Sequence, residues 1–149
     1  MPKAVDKELM KEKIMKAAVS VFLKYGVKNT TMDAIAKKAN LAKGTLYIYF
    51  ESKSSLLSSI TDIYFSDLKK SLISDEPITT LDELLAHIKN NLLTGKKSAK
   101  FMKIFFDAFG EQLSHENFTD KYDAFFEEIA HFYNQSLKRL MRNGEINKN

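Results

Sequence analysis

Apolar residues recur at three- and four-residue spacing through almost the whole chain, and no segment combines an alternating apolar pattern with hairpin turn residues. This periodicity leaves one fold class, all-α. Ile14, Ala18, Val21, Phe22 and Tyr25 share one face and predict a first helix over residues 6–25. Gly26, which enters the left-handed conformation without steric cost, supplies its stop. Thr31 is placed to cap a short second helix with Ile35, Ala36 and Ala39 on its inner face and Asp33 beside its positive end. Asn40 tolerates left-handed backbone better than most residues and predicts a tight turn over 39–42. A third helix, Lys43–Tyr49, follows with Leu46 and Phe50 directed inward.

Ser52 is a cap for a fourth helix, in which Leu56, Leu57, Ile60, Ile63, Tyr64, Leu68 and Leu72 keep the period to about residue 73. Asp75, Glu76 and Pro77 break it. Thr80 and Glu83 have capping-box spacing and open a fifth helix that runs through Leu93 and is ended by Gly95. Residues 98–110, SAKFMKIFFDAFG, are apolar around most of the helical circumference and predict a segment buried on more than one side, central in a second domain. A last helix over about 118–141 carries Phe118, Tyr122, Phe125, Ile129, Phe132 and Leu140 on one stripe and gives way to a polar tail, RNGEINKN. The expected organisation is a helix-turn-helix domain over 1–53 and a helical ligand-binding and dimerisation domain over 54–149, with 54–73 linking the two.

Composition removes several functions. Cysteine is absent, so disulfides, thiolate metal sites and thiol nucleophiles are excluded together. No apolar run approaches the ~20 residues that span a bilayer, and the lysine-rich N-terminus has no apolar core of a secretory signal, so a cytoplasmic protein without a membrane partner is expected. His87, His115 and His131 are isolated, with no second ligand at metal spacing, and no nucleophile is paired with a base. The expectation is a non-enzyme with no catalytic residues, no metal and no cofactor. Charge is unevenly spread: up to Lys53, eleven lysines face five acids and leave +6, whereas from Ser54 onward twelve basic residues face fourteen acids and leave −2. A basic end on a mildly acidic body suits contact with a polyanion.

Residues 30–50, TTMDAIAKKANLAKGTLYIYF, carry the chemistry for that contact. Two short helices joined by a tight turn can place the second in a major groove about 12 Å wide. Lys43 opens that helix where a cation reaches a phosphate or a guanine edge, and Thr45 hydrogen-bonds either. Gly44 lets backbone approach the sugar-phosphate chain closely, and Ile48 suits a thymine methyl. Tyr47 reads as a phosphate contact, Tyr49 equally as a phosphate contact or a core aromatic, and Phe50 as core. Thr31 at its helix N-terminus and Lys53 at the next one add two anion sites.

At Ile14, Ala18, Phe22, Gly26, Thr30-Thr31, Ile35-Ala36, Ala39, Lys43-Gly44-Thr45-Leu46-Tyr47, Tyr49-Phe50, Lys53 and Leu56-Leu57, the sequence closely resembles the tetracycline-repressor (TetR) family. The resemblance covers residues 13–57. It implies a three-helix DNA-binding domain, a linking fourth helix and a larger helical domain that binds an inducer and forms a homodimer. It also implies that Thr31, Lys43, Gly44, Thr45, Tyr47, Tyr49 and Lys53 lie on double-stranded operator DNA. Three positions depart from the family: Asn40 replaces its usual glycine, Ala42 its capping serine or threonine, and Lys13 a common arginine. The second departure removes a cap and a possible phosphate contact, leaving Lys43 and Thr45 to compensate.

The resemblance fades after about residue 73. Phe101, Phe105, Phe109, Phe125 and Tyr133 are the candidate lining for a small-molecule inducer, each with core packing as its competing role. Asp107, in the most apolar helix, either faces a cationic ligand or marks that helix's exposed edge. The resemblance implies two further helices that build the dimer after a segment like RNGEI; the expectation is that this sequence is a fragment, dimerises through the final helices it has, or does not dimerise in the usual way. The function expected is a transcriptional repressor released by an inducer. The alternative is a helical interaction protein whose basic head meets acidic partners and has no affinity for DNA.

Overall fold

A computed structural model describes residues 4–93, 95–112 and 117–147 and, within them, the side chains of residues 6–91, 99–108 and 122–147. The described residues form seven helices and no strand, the all-α architecture that the periodicity predicts. They are α1 (Ala4–Tyr25), α2 (Met32–Ala39), α3 (Lys43–Tyr49), α4 (Lys53–Leu72), α5 (Leu81–Leu93), α6 (Gly95–Gln112) and α7 (Asn117–Arg142). Two compact units emerge, one from Met1–Ile63 with Ala99–Ser114 and one from Tyr64–Ser98 with His115–Asn149. The helix α4 contributes its first half to one and its second half to the other.

In the first unit, Ile14, Ala17, Ala18, Val21 and Phe22 of α1 are buried together with Met32, Ile35, Ala36 and Ala39 of α2, Leu46 of α3, and Leu56, Leu57 and Ile60 of α4. Each set recurs at three or four residues, so each helix buries a single stripe. Tyr25 departs from its expected place on the α1 stripe: it is 52% exposed, because the helix ends there and its ring lies under the Lys24 ammonium, 4.9 Å from the ring centroid. Gly26 turns the chain at φ +82°. The hydroxyl of Thr30, itself buried, donates to the Gly26 carbonyl at 2.7 Å and closes the turn.

Also in this unit, α6 meets the end of α1. Asp107 accepts a hydrogen bond from the Val27 N–H at 2.5 Å, and the Lys103 ammonium donates to the Leu23 carbonyl at 3.3 Å. Asp107 is exposed, as an edge residue should be, yet it holds backbone of the first turn. The sequence pattern puts α6 at the centre of the second domain; residues 99–114 instead group with the head. An apolar circumference reports burial but not the partner.

The second unit is built on Ile78, Leu84 and Leu140, with Ile88, Phe132, Tyr133 and Ile146 packed around them. The capping box at α5 forms as expected: Glu83 N–H donates to the Thr80 hydroxyl at 3.2 Å, and Thr80 N–H returns to the Glu83 carboxylate at 3.2 Å. Thr79 adds its own N–H and hydroxyl to the same oxygen, and these bonds hold the Glu83 carboxyl below the usual glutamate range. Gly95 is the first residue of α6 and not a stop after α5, a place where free helix amides make glycine inexpensive. The segment after α7 is docked and not merely a polar tail. Gly144 at φ +74° lets Glu145 N–H return to the Leu140 carbonyl at 3.0 Å, which swings Ile146 onto the core. Asn143 and Glu145 then hold Thr79 and Leu81.

Candidate nucleic-acid interface

Thr31 has extended backbone and its hydroxyl accepts from Ala34 N–H at 3.2 Å, which caps α2. At the other end Asn40 adopts φ 55°, ψ 49°, and Leu41 N–H bonds to the Ala36 carbonyl at 2.9 Å, the long return bond of a helix closed by a left-handed residue. This turn needs no glycine because asparagine tolerates the same backbone. It delivers the chain to Ala42, which starts α3 without a side-chain cap. Burial of Leu46 and Phe50 then fixes how α3 is rotated about its own axis.

The consequence is an outward face made of Lys43, Gly44, Tyr47 and Ile48. Tyr47 is 42% exposed and Ile48 79% exposed, so two apolar bodies stand in solvent on a helix of seven residues. A Cβ on Gly44 would meet nothing within 4 Å, so packing inside the protein does not require glycine there. Thr45 is half-buried beside this face. Tyr49, also half-buried, lines an open groove with Phe50, Met15 of α1 and Ser59 of α4. Lys43 forms an ion pair with Asp33 of α2 at 2.8 Å, and that carboxylate holds its ammonium pKa above the usual lysine value.

Lys53 opens α4 beside the Ser52 cap, where Ser55 N–H donates to the Ser52 hydroxyl at 3.0 Å. Its ammonium donates to the Val27 carbonyl at 2.8 Å and reaches that of Lys28 at 3.4 Å. The expected phosphate clamp is thus also a tie between α4 and the turn after α1. Nothing in the sequence pairs position 53 with 27; the contact follows from the three-dimensional turn.

The aromatic candidates fall in both units. Phe101, buried, and Phe105, half-buried, stack at 6.1 Å in the first unit. Phe125, buried, packs edge-on against Phe65 at 4.8 Å in the second unit, where Tyr133 lies beside His87 and Phe132 and burial raises its phenol pKa. The side chain of Phe109 lies outside the described residues, as does His115.

Residues 14–60 match the family model for bacterial regulatory proteins of the tetR family. Over those residues the chain is similar to that family. It is 40% identical over 60 residues to the uncharacterised HTH-type transcriptional regulator YhgD of Bacillus subtilis (strain 168), an overlap of 40% of this chain and 31% of that protein. It is 34% identical over 67 residues to IcaR of Staphylococcus aureus (strain Newman), the negative transcriptional regulator of the icaADBC biofilm operon, covering 45% of this chain and 36% of IcaR. The chain therefore spans about a third of these relatives. In fold it resembles SmeT, solved in complex with triclosan, with a TM-score of 0.67 and 22% identity over 91% of this chain and 68% of that one. Among the described residues no helix is long and apolar enough to cross a membrane.

Proposed function

We propose that this protein is a sequence-specific DNA-binding transcription regulator, a repressor that acts in the cytoplasm as a homodimer on double-stranded operator DNA. One observation carries the reading: α3 exposes Lys43, Tyr47 and Ile48 around a bare Gly44 while Leu46 and Phe50 anchor its other side. A cation, a phenol and an aliphatic tip on one short helix supply phosphate, hydroxyl and thymine-methyl contacts together. Thr31, Thr45, Tyr49 and Lys53 complete the surface, Lys43 by exchanging Asp33 for a phosphate and Lys53 by sharing its protons between the turn and the duplex. Residues 1–53 read DNA in this proposal, and 54–149 serve ligand binding and pairing.

Release by a small molecule is the second part of the proposal. The aromatic residues of α6 and α7, among them Phe101, Phe105, Phe109, Phe125 and Tyr133, suit an apolar aromatic inducer, and SmeT with triclosan is a precedent in a protein of similar fold. A coupling of about 1–3 kcal/mol between inducer and operator would change affinity about 5- to 150-fold. Fluorescence anisotropy against DNA upstream of the protein's own gene, and against a scrambled duplex, tests the DNA reading across salt. Specific binding that Tyr47→Ala weakens by at least about tenfold supports it, since one good base-edge or phosphate anchor is worth about 1–3 kcal/mol. Equal affinity for both duplexes would sink it.

A further inference from the structure

Away from α3, the head has a second basic surface. Ser20, Lys24 and Tyr25 of α1 and Ala34, Lys37 and Lys38 of α2 line an open groove of about 410 Å³. Lys24, Tyr25, Lys37 and Lys38 are all exposed. Among the described residues, Lys11, Lys16, Lys43, Lys69 and Lys70 each have a carboxylate within 4.0 Å, whereas Lys24, Lys37 and Lys38 have none. The three ammoniums act on one place: Lys24 first, then Lys37 and Lys38, draw the Tyr25 phenol below its ordinary pKa. Three cations with no counter-charge among the described residues, beside two hydroxyls in a concave surface, form a site for a multiply charged oxyanion. Compact lysine ammoniums on flexible stems suit phosphate oxygens better than a planar carboxylate, which favours a guanidinium fork.

We propose that this groove is a second phosphate-binding site, separate from the α3 surface, and that it takes the sugar-phosphate backbone flanking the stretch read by α3. The proposal rests on the DNA-binding reading for the source of the phosphates but not for their chemistry. At 1.5 Å per residue, Lys38 stands about 10 Å along α2 from Thr31, the residue at the anion-attracting end of the same helix. Duplex DNA carries a charge about every 1.7 Å of its axis, so a surface displaced that far meets further phosphates and not the same one. The groove adds affinity and salt dependence without adding sequence preference, because phosphates carry no base information.

The test compares wild type, the triple variant Lys24→Gln/Lys37→Gln/Lys38→Gln, and a charge-matched control, Lys70→Gln/Lys89→Gln/Lys138→Gln, placed in the second unit. Each is titrated by anisotropy over a range of salt with two duplexes of one bound sequence, one long and one cut at the edge of the α3 footprint. In parallel, tripolyphosphate is titrated against each protein while the amide resonances of Tyr25, Ala34 and Lys38 are followed. The expected result is a salt slope lowered by up to about 2.7 on the long duplex alone, at about 0.9 for each phosphate no longer neutralised, in the groove variant and not in the control. An unchanged slope with tripolyphosphate binding abolished only in the groove variant supports the site and assigns it to free phosphates. Absence of both effects overturns it. If wild type binds no duplex, the DNA reading has failed and the tripolyphosphate arm alone decides for or against the groove.

Discussion

Replacing Gly26 by alanine separates two costs that meet at one residue. The first is backbone: φ +82° costs an L residue about 1–2 kcal/mol, partly offset by the ~0.4–1 kcal/mol that a less flexible unfolded chain returns, leaving about 1. The second is the new Cβ, which would lie 3.0 Å from Asp107 Oδ2, the oxygen that accepts the Val27 N–H at 2.5 Å. Displacing it weakens a charged hydrogen bond of about 1.5–3 kcal/mol, reduced to about 1 because the carboxylate is exposed. Gly26→Ala should therefore destabilise the head by about 2 kcal/mol in the native background and about 1 kcal/mol once Asp107→Ala has already removed the carboxylate. Native-state hydrogen exchange of head amides measures this without requiring both units to unfold together. Equal costs in the two backgrounds, within the ~0.3–0.5 kcal/mol of ordinary additivity, would refute a contact between Asp107 and this turn.

Asp33→Asn frees Lys43 from its ion pair and removes a negative charge beside the α3 surface, so operator affinity should rise by up to about five-fold at low salt; an unchanged or weaker affinity counts against Lys43 as a DNA contact. Asn40→Gly should leave the head as stable or up to about 1 kcal/mol more stable in urea, whereas Asn40→Val should cost about 1–2 kcal/mol, because φ 55° is open to glycine and closed to a β-branched residue. The Glu83 carboxyl has a depressed pKa in the folded state, so its contribution to the start of α5 is present above the unfolded value and is lost as pH falls through the folded one. Protection of the Thr79 and Thr80 amides, the exchange rate relative to the intrinsic rate at the same pH, should fall on acidification below about pH 4.3 in wild type, and Glu83→Gln should be weakly protected at every pH; an acid response that survives in Glu83→Gln assigns it to another group.

Local chemistry was readable wherever one residue type settles the geometry. Gly26, Thr31, Asn40, Ser52 and the Thr80–Glu83 box act as their side chains dictate, because caps and left-handed turns depend on a few atoms close in sequence. The outward face of α3 was legible for the same reason: inward Leu46 and Phe50 determine where Tyr47 and Ile48 point. What depends on partners distant in sequence was not. Lys53 on Val27, Asp107 on Val27 and Lys43 on Asp33 are separated by 26, 80 and 10 positions, and no periodicity encodes such pairs. For the aromatic candidates, stripe position signals burial and not which pocket a ring lines; Phe101 and Phe125 are both buried, in different units. The return of Ile146 to the core had a signal that composition hid, a glycine followed two residues later by an isoleucine in an otherwise polar stretch.

The interrupted first unit has a consequence for synthesis. Its two parts are separated in the chain by residues 64–98, thirty-five amino acids that belong elsewhere. A ribosome adding roughly 5–20 residues per second needs about 2–7 s to cross that interval. During that time α1 to α3 can already bury Leu46, Ile35 and Phe22 against one another, while Val27 has Lys53 on its carbonyl but no carboxylate on its N–H. Emergence of Asp107 supplies the second of Val27's two backbone partners, so that bond forms only after residue 107 has been added.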